Sequence, residues 1–162
     1  MPFAEIIAGE GTGVQRAALD VAIGLCIPTR SFCMEATTIS KSSVAGGRVP
    51  HRQIIERNVL ESDATLVLFD KSGIGCSPRA MFTQQLAADH CRPTLVVNIG
   101  DYMSLDRAHM WLGSFPASLV LNIAGPDSNE APGIYEASYY FLEELLDRGN
   151  LVKWHSGLRR RS

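Results

Sequence analysis

The chain has 162 residues, of which 46% are hydrophobic and 20% are charged, and its formal net charge is −2. This length suits one domain of ordinary size with a sizeable core. The slightly acidic balance argues against the basic stripe of a nucleic-acid-binding protein, and no stretch reaches the roughly 20 apolar residues of a membrane span. We therefore expect neither nucleic acid nor a membrane among its partners.

The cysteines and the N-terminus indicate the compartment. Cys26, Cys33, Cys76 and Cys91 are scattered along the chain and form no C-x-x-C pair. Such spacing favours reduced thiols over a disulfide framework or a metal site. The first residues, "MPFAEIIAG", lack a basic segment followed by an apolar run, so no export signal is predicted. We expect a cytoplasmic protein with no metal held by cysteine.

The apolar pattern predicts strands that alternate with helices. Strands are predicted at Phe3–Ala8, Ala64–Phe69, Thr94–Ile99 and Ser118–Ala124, and the last three are nearly continuous apolar runs typical of a parallel sheet covered on both faces. Helices are predicted at Val14–Leu25, His51–Glu61, Arg79–Cys91, Leu105–Leu112 and Ile134–Leu146. Ser104 is the expected N-cap of the fourth helix, and Gly149 is the expected C-cap of the last one. This alternation predicts an α/β fold, a three-layer Rossmann-like sandwich with a mostly parallel sheet.

No internal repeat or linker divides the chain. We predict a single ligand-binding domain over residues 1–149 and a C-terminal tail over residues 150–162. The polar segment Thr37–Pro50 has no periodicity, which predicts a long surface loop. The tail contains three adjacent arginines; it is read either as a frayed, solvated terminus or as an electrostatic contact with a partner.

Three loops follow predicted strands and are rich in glycine or short polar residues. They are Gly9-Glu10-Gly11-Thr12-Gly13, the segment Asp70–Ser77 and the segment Gly125–Asn129. In an open parallel sheet the ligand crevice lies outside the carboxyl ends of the strands, where helix N-termini favour an anion. The candidate ligand-binding residues are Gly9, Glu10, Gly11, Thr12, Gly13, Arg16, Asp70, Ser72, Gly73, Gly75, Ser77 and Gly125. No catalytic residue and no metal ligand is assigned.

Two of these candidates have a plain structural alternative. Arg16 lies in the first turn of a helix, where the dipole disfavours a cation, so a role in holding phosphate would explain it. The alternative is an i,i+4 ion pair with Asp20. Asp70 ends a strand at a position typical of catalytic or ribose-binding acids, and the alternative is an Asx turn that starts the loop. Asp63, at the opposite end of that strand, is predicted to cap a helix or turn.

The segments "IIAGEGTGVQRAALDVAIGLCIP", "RNVLESDATLVLF" and "LNIAGPDSNEAPGIY" resemble the family known as the putative molybdenum carriers. This family is part of the SLOG group of Rossmann-like nucleotide-binding proteins, and the similarity runs from about Glu5 to Leu146. The resemblance implies a cytoplasmic protein that binds a phosphorylated pterin such as the molybdenum cofactor, or a nucleotide. It also implies a homo-oligomer and, as a further partner, a molybdoenzyme.

The sequence departs from the family pattern at the presumed site. The family loop typically reads Gly-Gly-Gln-Thr-Gly-Val-Asp-Arg, whereas this chain has Glu10 for the second glycine, Gly11 for the glutamine and Gln15 for the aspartate. Pro78-Arg79-Ala80 stands where the family tends to have a Gly-Gly-Thr turn, and Asp127 stands where an arginine is common. Glu10 and Asp127 make the presumed anion site less favourable for an anion.

Three functions are compatible with this sequence. The first is a small-molecule-binding or carrier protein for a phosphorylated pterin or a nucleotide. The second is a nucleotide hydrolase, by analogy with SLOG-type phosphoribohydrolases, although the Pro-Gly-Gly-x-Gly-Thr-x-x-Glu signature of those enzymes is missing here. The third is a family member that acts through protein contacts alone. The sequence favours the first.

Glu10 has three possible roles beside a phosphorylated ligand. It repels the phosphate, accepts hydrogen bonds from a ribose or pterin, or holds a magnesium ion that bridges to the phosphate. We favour repulsion because no second carboxylate is obviously placed to complete a metal site. Repulsion predicts that Glu10→Gly tightens binding about tenfold, with or without magnesium.

Overall fold

The computed structural model describes residues 3–9, 11–31 and 51–161, and the side chains of 52–147 within the last range. The predictions for Glu10, for Cys33 and for the segment Thr37–Pro50 fall outside the described residues. The strands are β1 Phe3–Ile7, β2 Thr29–Arg30, β3 Ala64–Phe69, β4 Thr94–Asn98 and β5 Leu119–Ala124. The helices are α1 Val14–Gly24, α2 His51–Leu60, α3 Pro78–Asp89, α4 Ser104–Gly113 and α5 Ile134–Arg161, with a 3-10 turn at Ile74–Cys76.

The five strands form one parallel sheet in the order β2-β1-β5-β3-β4. One common order of doubly wound sheets is 3-2-1-4-5, and this chain reproduces that order when counting starts at β5. The strand that comes first in such folds is therefore last in this chain, and it lies at the centre of the sheet. The α/β prediction is confirmed as an all-parallel Rossmann-like sandwich.

Two layers of helices cover the sheet. Helices α1, α4 and α5 pack together on one face, over a core that includes Ile6, Leu121 and Leu142. Helices α2 and α3 pack against each other over a smaller cluster that includes Val59 and Ala87. Successive residues of a strand point to opposite faces, and right-handed crossovers place α1 and α3 on opposite faces because they lead in opposite directions along the sheet.

Two predicted details are wrong, and one element is missing from the prediction. The last helix does not end at Gly149 but continues to Arg161, since one glycine inside a helix costs only about 1 kcal/mol relative to alanine. Ser104 is the first helical residue of α4 and not its cap; its hydroxyl donates to the Asp101 carbonyl, and the Asp101 carboxylate accepts from the Met103 amide. The two-residue strand β2 was not predicted, because it is too short for a hydrophobic period.

No helix among the described residues is both long and apolar enough to cross a membrane. Asp63 was predicted to cap a helix or turn, and the structure shows instead that it bonds to the neighbouring strand β5. Its carboxylate accepts a hydrogen bond from the Val120 amide at 2.9 Å, and its own amide donates to the Val120 carbonyl at 2.8 Å. This residue thereby fixes the amino end of β3 against β5, away from the loops that follow the strands.

Candidate ligand-binding site

Three loops lie side by side at the carboxyl edge of the sheet. Strands β1, β5 and β3 are adjacent and parallel, so the segments that follow them leave the sheet at the same edge; their described residues are 8–9 with 11–13, 125–133 and 70–77. The helix after β5 packs on one face of the sheet and the helix after β3 packs on the other. The winding direction therefore reverses between β5 and β3, which is where ligands bind in doubly wound folds.

The loops after β1 and β5 are joined into one unit. The Ser128 amide donates to the Thr12 hydroxyl at 3.1 Å, and the Ser128 hydroxyl donates to the Thr12 carbonyl at 3.0 Å. The Val14 amide, at the start of α1, donates to the Pro126 carbonyl at 3.2 Å. A side chain at Gly13 would collide with that carbonyl and with Ile134. Thr12 and Gly13 therefore connect two loops, and the first amide of α1 is already used.

Gly125 lies beneath this unit and is buried. A β-carbon at this position would lie 2.5 Å from the Leu68 carbonyl oxygen and 2.5 Å from Val14 Cγ2. The ends of β5 and β3 and the start of α1 can approach one another only because residue 125 has no side chain. The structure thus gives Gly125 a packing function at the point where the three loops meet.

The loop after β3 is a more open turn. The Asp70 carboxylate accepts from the Ser72 amide at 2.9 Å, which is the Asx turn that the sequence left as one alternative. Gly73 has φ +83° and ψ 161°, a conformation that residues with a β-carbon rarely adopt. Gly75 has open space around it. Ser77 is fully buried and caps α3, because its hydroxyl accepts from the Ala80 amide at 3.2 Å.

Arg79 bridges the loops after β3 and β5. Its Nη1 lies 3.4 Å from Asp127 Oδ2, and both side chains are partly exposed. The Asp127 amide in turn donates to the Glu130 carboxylate at 2.9 Å. Our site prediction did not include Arg79, although it stands at a position where the chain departs from the family pattern. A basic side chain in the first turn of a helix, where the dipole disfavours it, was the available signal.

Arg16 lies on the outer surface between α1 and α5. Its side chain is 61% exposed and forms the i,i+4 ion pair with Asp20 at 3.2 Å. The other carboxylate oxygen of Asp20 accepts a hydrogen bond from the Tyr135 hydroxyl. That hydrogen bond, followed by burial, raises the pKa of Tyr135. The structure therefore places Arg16 in the ion pair that the sequence offered as its structural alternative.

Two amide side chains lie beside Gly9, just after the end of β1. Gln15 comes from α1 and Asn58 comes from α2, so they approach Gly9 from helices on opposite faces of the sheet. A β-carbon at Gly9 would lie 3.4 Å from both Asn58 Nδ2 and Gln15 Nε2. Gln15 is 7% exposed and Asn58 is 4% exposed. Both amides therefore lie within the molecule beside the first glycine of the loop.

The oxygen atoms of both amides, Gln15 Oε1 and Asn58 Oδ1, have no hydrogen-bond partner within the described part of the chain. Leaving a buried polar group unpaired costs about 1–3 kcal/mol, so most such groups in folded proteins are paired. The other buried side-chain oxygen in this state is Ser138 Oγ, on α5. The amide pair is distinguished by its position at the carboxyl edge of the sheet.

Our site prediction also omitted Gln15 and Asn58. A signal for Asn58 was present in the sequence, because it occupies a position in the apolar stripe of α2 that Ile54, Ile55 and Val59 otherwise form. A polar residue on the buried stripe of a helix needs a partner, and none is visible in the sequence. Gln15 gave no such signal, because its amide lies against Gly9 and Gly11 of the loop that precedes its own helix.

Most of the charged side chains between the loops after β3 and β5 are carboxylates. Burial first, and then the nearby charges of Glu130 and Asp70, raise the pKa of the Cys76 thiol. Asp127 adds a third carboxylate, which Arg79 partly offsets. Within the described residues, no three His, Cys, Asp or Glu side chains are grouped so that they could hold a metal ion. Glu10 would count both toward this negative charge and toward a group of metal ligands, but it lies outside the described residues.

Comparisons with known proteins agree with the sheet order. Residues 6–146 match the circularly permutated YpsA SLOG family. The chain is also similar to the solved structure of a putative molybdenum carrier protein from Syntrophus aciditrophicus SB, with 31% sequence identity and a TM-score of 0.72. That match covers 90% of this chain and 96% of the other. No match was found among the curated proteins.

Proposed function

The chain belongs to the circularly permutated YpsA SLOG family, and from this membership we propose that it is a small-molecule-binding carrier protein whose ligand is a phosphorylated pterin, such as the molybdenum cofactor, or a nucleotide. The observation that carries the proposal is the adjacency of β1, β5 and β3, which brings their three loops to one edge of the sheet. The name of the similar solved structure supports the carrier role.

The phosphate of the ligand, in this proposal, lies between the loops after β5 and β3. These loops flank the point where the winding direction reverses, and the N-terminus of α3 is directed to the same edge. Arg79 is the basic residue that we assign to the phosphate, because it already spans the two loops. A phosphate in this position replaces the Asp127 carboxylate as the partner of the Arg79 guanidinium. The Asp127 carboxylate then repels the phosphate, which limits the affinity for the ligand.

Direct titration tests the proposal. Calorimetric titration with GMP, AMP and a phosphorylated pterin, each with magnesium and with chelator, measures affinity. Native mass spectrometry of the protein purified from its own host reports any retained small molecule. We expect at least one ligand to bind at micromolar concentration, and Arg79→Gln to weaken it about tenfold. Absence of both a retained molecule and any titratable ligand would refute the carrier role.

The same preparation tests the other two functions. A phosphoribohydrolase releases free base from a nucleoside monophosphate, so incubation with a panel of such nucleotides, followed by chromatography, distinguishes turnover from binding. Rapid release of base would replace the carrier role with hydrolysis. Native mass spectrometry also reports the subunit number. We propose a homo-oligomer, and a monomer at micromolar concentration would contradict this part of the proposal.

The sheet order supports one of the three roles considered for Glu10, which is contact with a ribose. Strand β1 occupies the position of the second strand in the doubly wound order, and the residue after that strand commonly holds ribose hydroxyls. Glu10 follows β1 by three positions in the chain. If Glu10 holds a ribose, Glu10→Gly weakens the binding of GMP more than the binding of deoxy-GMP. Simple repulsion predicts instead about tenfold tighter binding of both, and a magnesium role predicts loss only when the metal is present.

A further inference from the structure

We propose that the outer face of helix α4 is the contact through which two copies of this chain associate about a two-fold axis. The inference rests on the proposed homo-oligomer and adds which surface forms it. The face consists of the N-cap residue Met103 and of Asp106, Arg107 and Met110 within the helix, and we call it the α4 face. These residues are three, four or seven positions apart, or adjacent, so they lie on one side of the helix.

The α4 face is exposed in the single chain. Met110 is 76% exposed, Met103 is 45% exposed, and the two charged residues between them are exposed as well. Ala108, on the other side of the helix, is buried in the core. The outer side of a surface helix ordinarily carries polar residues, so two exposed methionines on it indicate a face that another molecule covers.

Met103 is an unusual residue for the position it occupies. Serine, threonine, aspartate and asparagine are strongly preferred as N-caps, and the Met103 side chain makes no capping hydrogen bond. The Asp101 carboxylate accepts from the Met103 amide at 3.2 Å instead. The preceding residue, Tyr102, is 89% exposed and extends the apolar surface. The start of α4 is therefore organised without the Met103 side chain, which leaves it available for a contact between molecules.

The order of residues on the α4 face is complementary to itself. A two-fold axis pairs residue i of one copy with residue j of the other, and j with i in return. With the two helices antiparallel and the axis between Asp106 and Arg107, each Asp106 lies opposite Arg107 of the second copy. The same axis sets each Met103 opposite Met110 of the second copy. Opposite charges and apolar side chains therefore meet at every pair, which is why we assign the face to a second copy of the chain.

The neighbouring helix does not have this property. Helix α5 packs beside α4 on the same face of the sheet. Its charged side chains within the described part of the chain are all exposed and all acidic: Glu136, Glu143, Glu144 and Asp147. A two-fold contact through α5 would bring like charges together, which is unfavourable. The charge pattern thus distinguishes α4 from α5 as a surface for self-association.

Complementary charge variants test the two-fold contact. Asp106→Arg brings arginines together at both charge pairs and Arg107→Asp brings carboxylates together, so each variant alone should associate about hundredfold more weakly than the wild type. An equimolar mixture of the two variants restores both pairs, and so does the double variant Asp106→Arg/Arg107→Asp. Sedimentation velocity over a concentration series measures the subunit number. Native mass spectrometry of the mixture distinguishes the heterodimer from the two homodimers by mass.

The apolar pairs are tested by Met110→Lys, with Ile23→Lys as the matched control. Ile23 is 63% exposed on α1, which packs against the other side of α5 from α4. We expect Met110→Lys to halve the subunit number at a concentration at which the wild type and Ile23→Lys stay associated. Melting temperatures are measured in parallel, because Asp106→Arg also places a cation in the first turn of α4, where the helix dipole disfavours it.

The results separate this inference from the proposed function. A monomeric wild type overturns the α4 contact and the homo-oligomer together, whereas the ligand titrations decide the carrier role by themselves. An oligomer that survives both single charge variants overturns the α4 contact alone. So does a mixture of the two variants that forms no heterodimer, because the two-fold pairing requires one. If a charge variant does not fold, Met110→Lys decides, and an associated Met110→Lys protein overturns the contact.

Discussion

The loops after β1 and β3 look alike in the sequence but use glycine for different reasons. In the loop after β1, side chains at Gly11 and Gly13 would collide with Gln15 and with the Pro126 carbonyl, respectively. In the loop after β3, Gly75 has open space, and Gly73 is needed for its positive φ. The first loop is a packed junction and the second is a turn. Glycine-rich motifs therefore identify a loop without showing which property of glycine is used.

The largest effect is expected where the packed junction is broken. Gly13→Val places two methyl groups against the Pro126 carbonyl and Ile134, which separates the loops after β1 and β5. We expect a loss of about 2–4 kcal/mol in the free energy of unfolding, measured by urea denaturation. Gly75→Val, in the open turn, is the matched control and should change stability by less than about 0.5 kcal/mol. Equal effects of the two substitutions would contradict the distinction between the loops.

A smaller effect is expected from the backbone of the turn itself. Gly73→Ala adds no close contact, but alanine rarely adopts φ +83° with an extended ψ. The expected cost is about 1–3 kcal/mol in the free energy of unfolding. Gly75→Ala, two residues away, serves as the control because Gly75 does not have a positive φ. A Gly73→Ala protein as stable as wild type would show that this turn is free to rearrange.

The hydrogen bond between Tyr135 and Asp20 fixes α5 against α1, next to the packed junction. Tyr135→Phe should lower the free energy of unfolding by about 1 kcal/mol at neutral pH. Because this bond raises the pKa of Tyr135 above its ordinary value of 10.0, its contribution is present below that value and is lost as the pH rises further. Urea denaturation at increasing alkaline pH should show the two proteins converging. A difference that is independent of pH would exclude the hydrogen bond as its cause.

The smallest effect is expected at Cys76 in the turn after β3, where the reactivity of the thiol depends on charge in the loop after β5. Burial and the charges of Glu130 and Asp70 raise the pKa of its thiol, so less thiolate is present at neutral pH than at an ordinary cysteine. Cys26 and Cys91 are exposed and should react faster with iodoacetamide. Glu130→Gln should increase the rate at Cys76 by less than about tenfold between about pH 7 and pH 9, without a change in stability. Peptide mass spectrometry measures the rates; an unchanged rate would place Glu130 too far away to matter.

Most elements could be predicted from the sequence because their patterns are local. The apolar run "ATLVLF" coincides with β3 at both ends, and the stripe that starts at Val14 is α1. Errors occurred where a competing local hydrogen bond or a weak local preference decided the outcome. The Asp101 carboxylate, rather than Ser104, organises the turn before α4, and α5 passes through Gly149.

The candidate site was predictable only in part. The loops were found because glycines after strands are a local signal, but Gln15 and Asn58 are brought together by two helices on opposite faces of the sheet.

Two departures from the family pattern also prove to be linked. The Gln15 amide occupies the space that a side chain at Gly11 would need, so a glycine at 11 and a glutamine at 15 fit each other. Read one position at a time, these two differences seemed independent.

The sequence by itself determined the class of fold, the family resemblance and the loops at which a ligand is expected, because apolar periodicity and glycine placement are properties of short segments. The tertiary structure alone decided the strand order. Pairing of β1 with β5 joins residues more than 100 positions apart, such as Ile6 and Leu121, and no local pattern specifies that contact. That pairing makes β5 the central strand, locks Gly13 against Pro126 and gives the loop after β1 its fixed position. Burial of Asn58 beside Gly9 likewise depends on packing between distant elements, because residues 9 and 58 are brought together only by the tertiary fold.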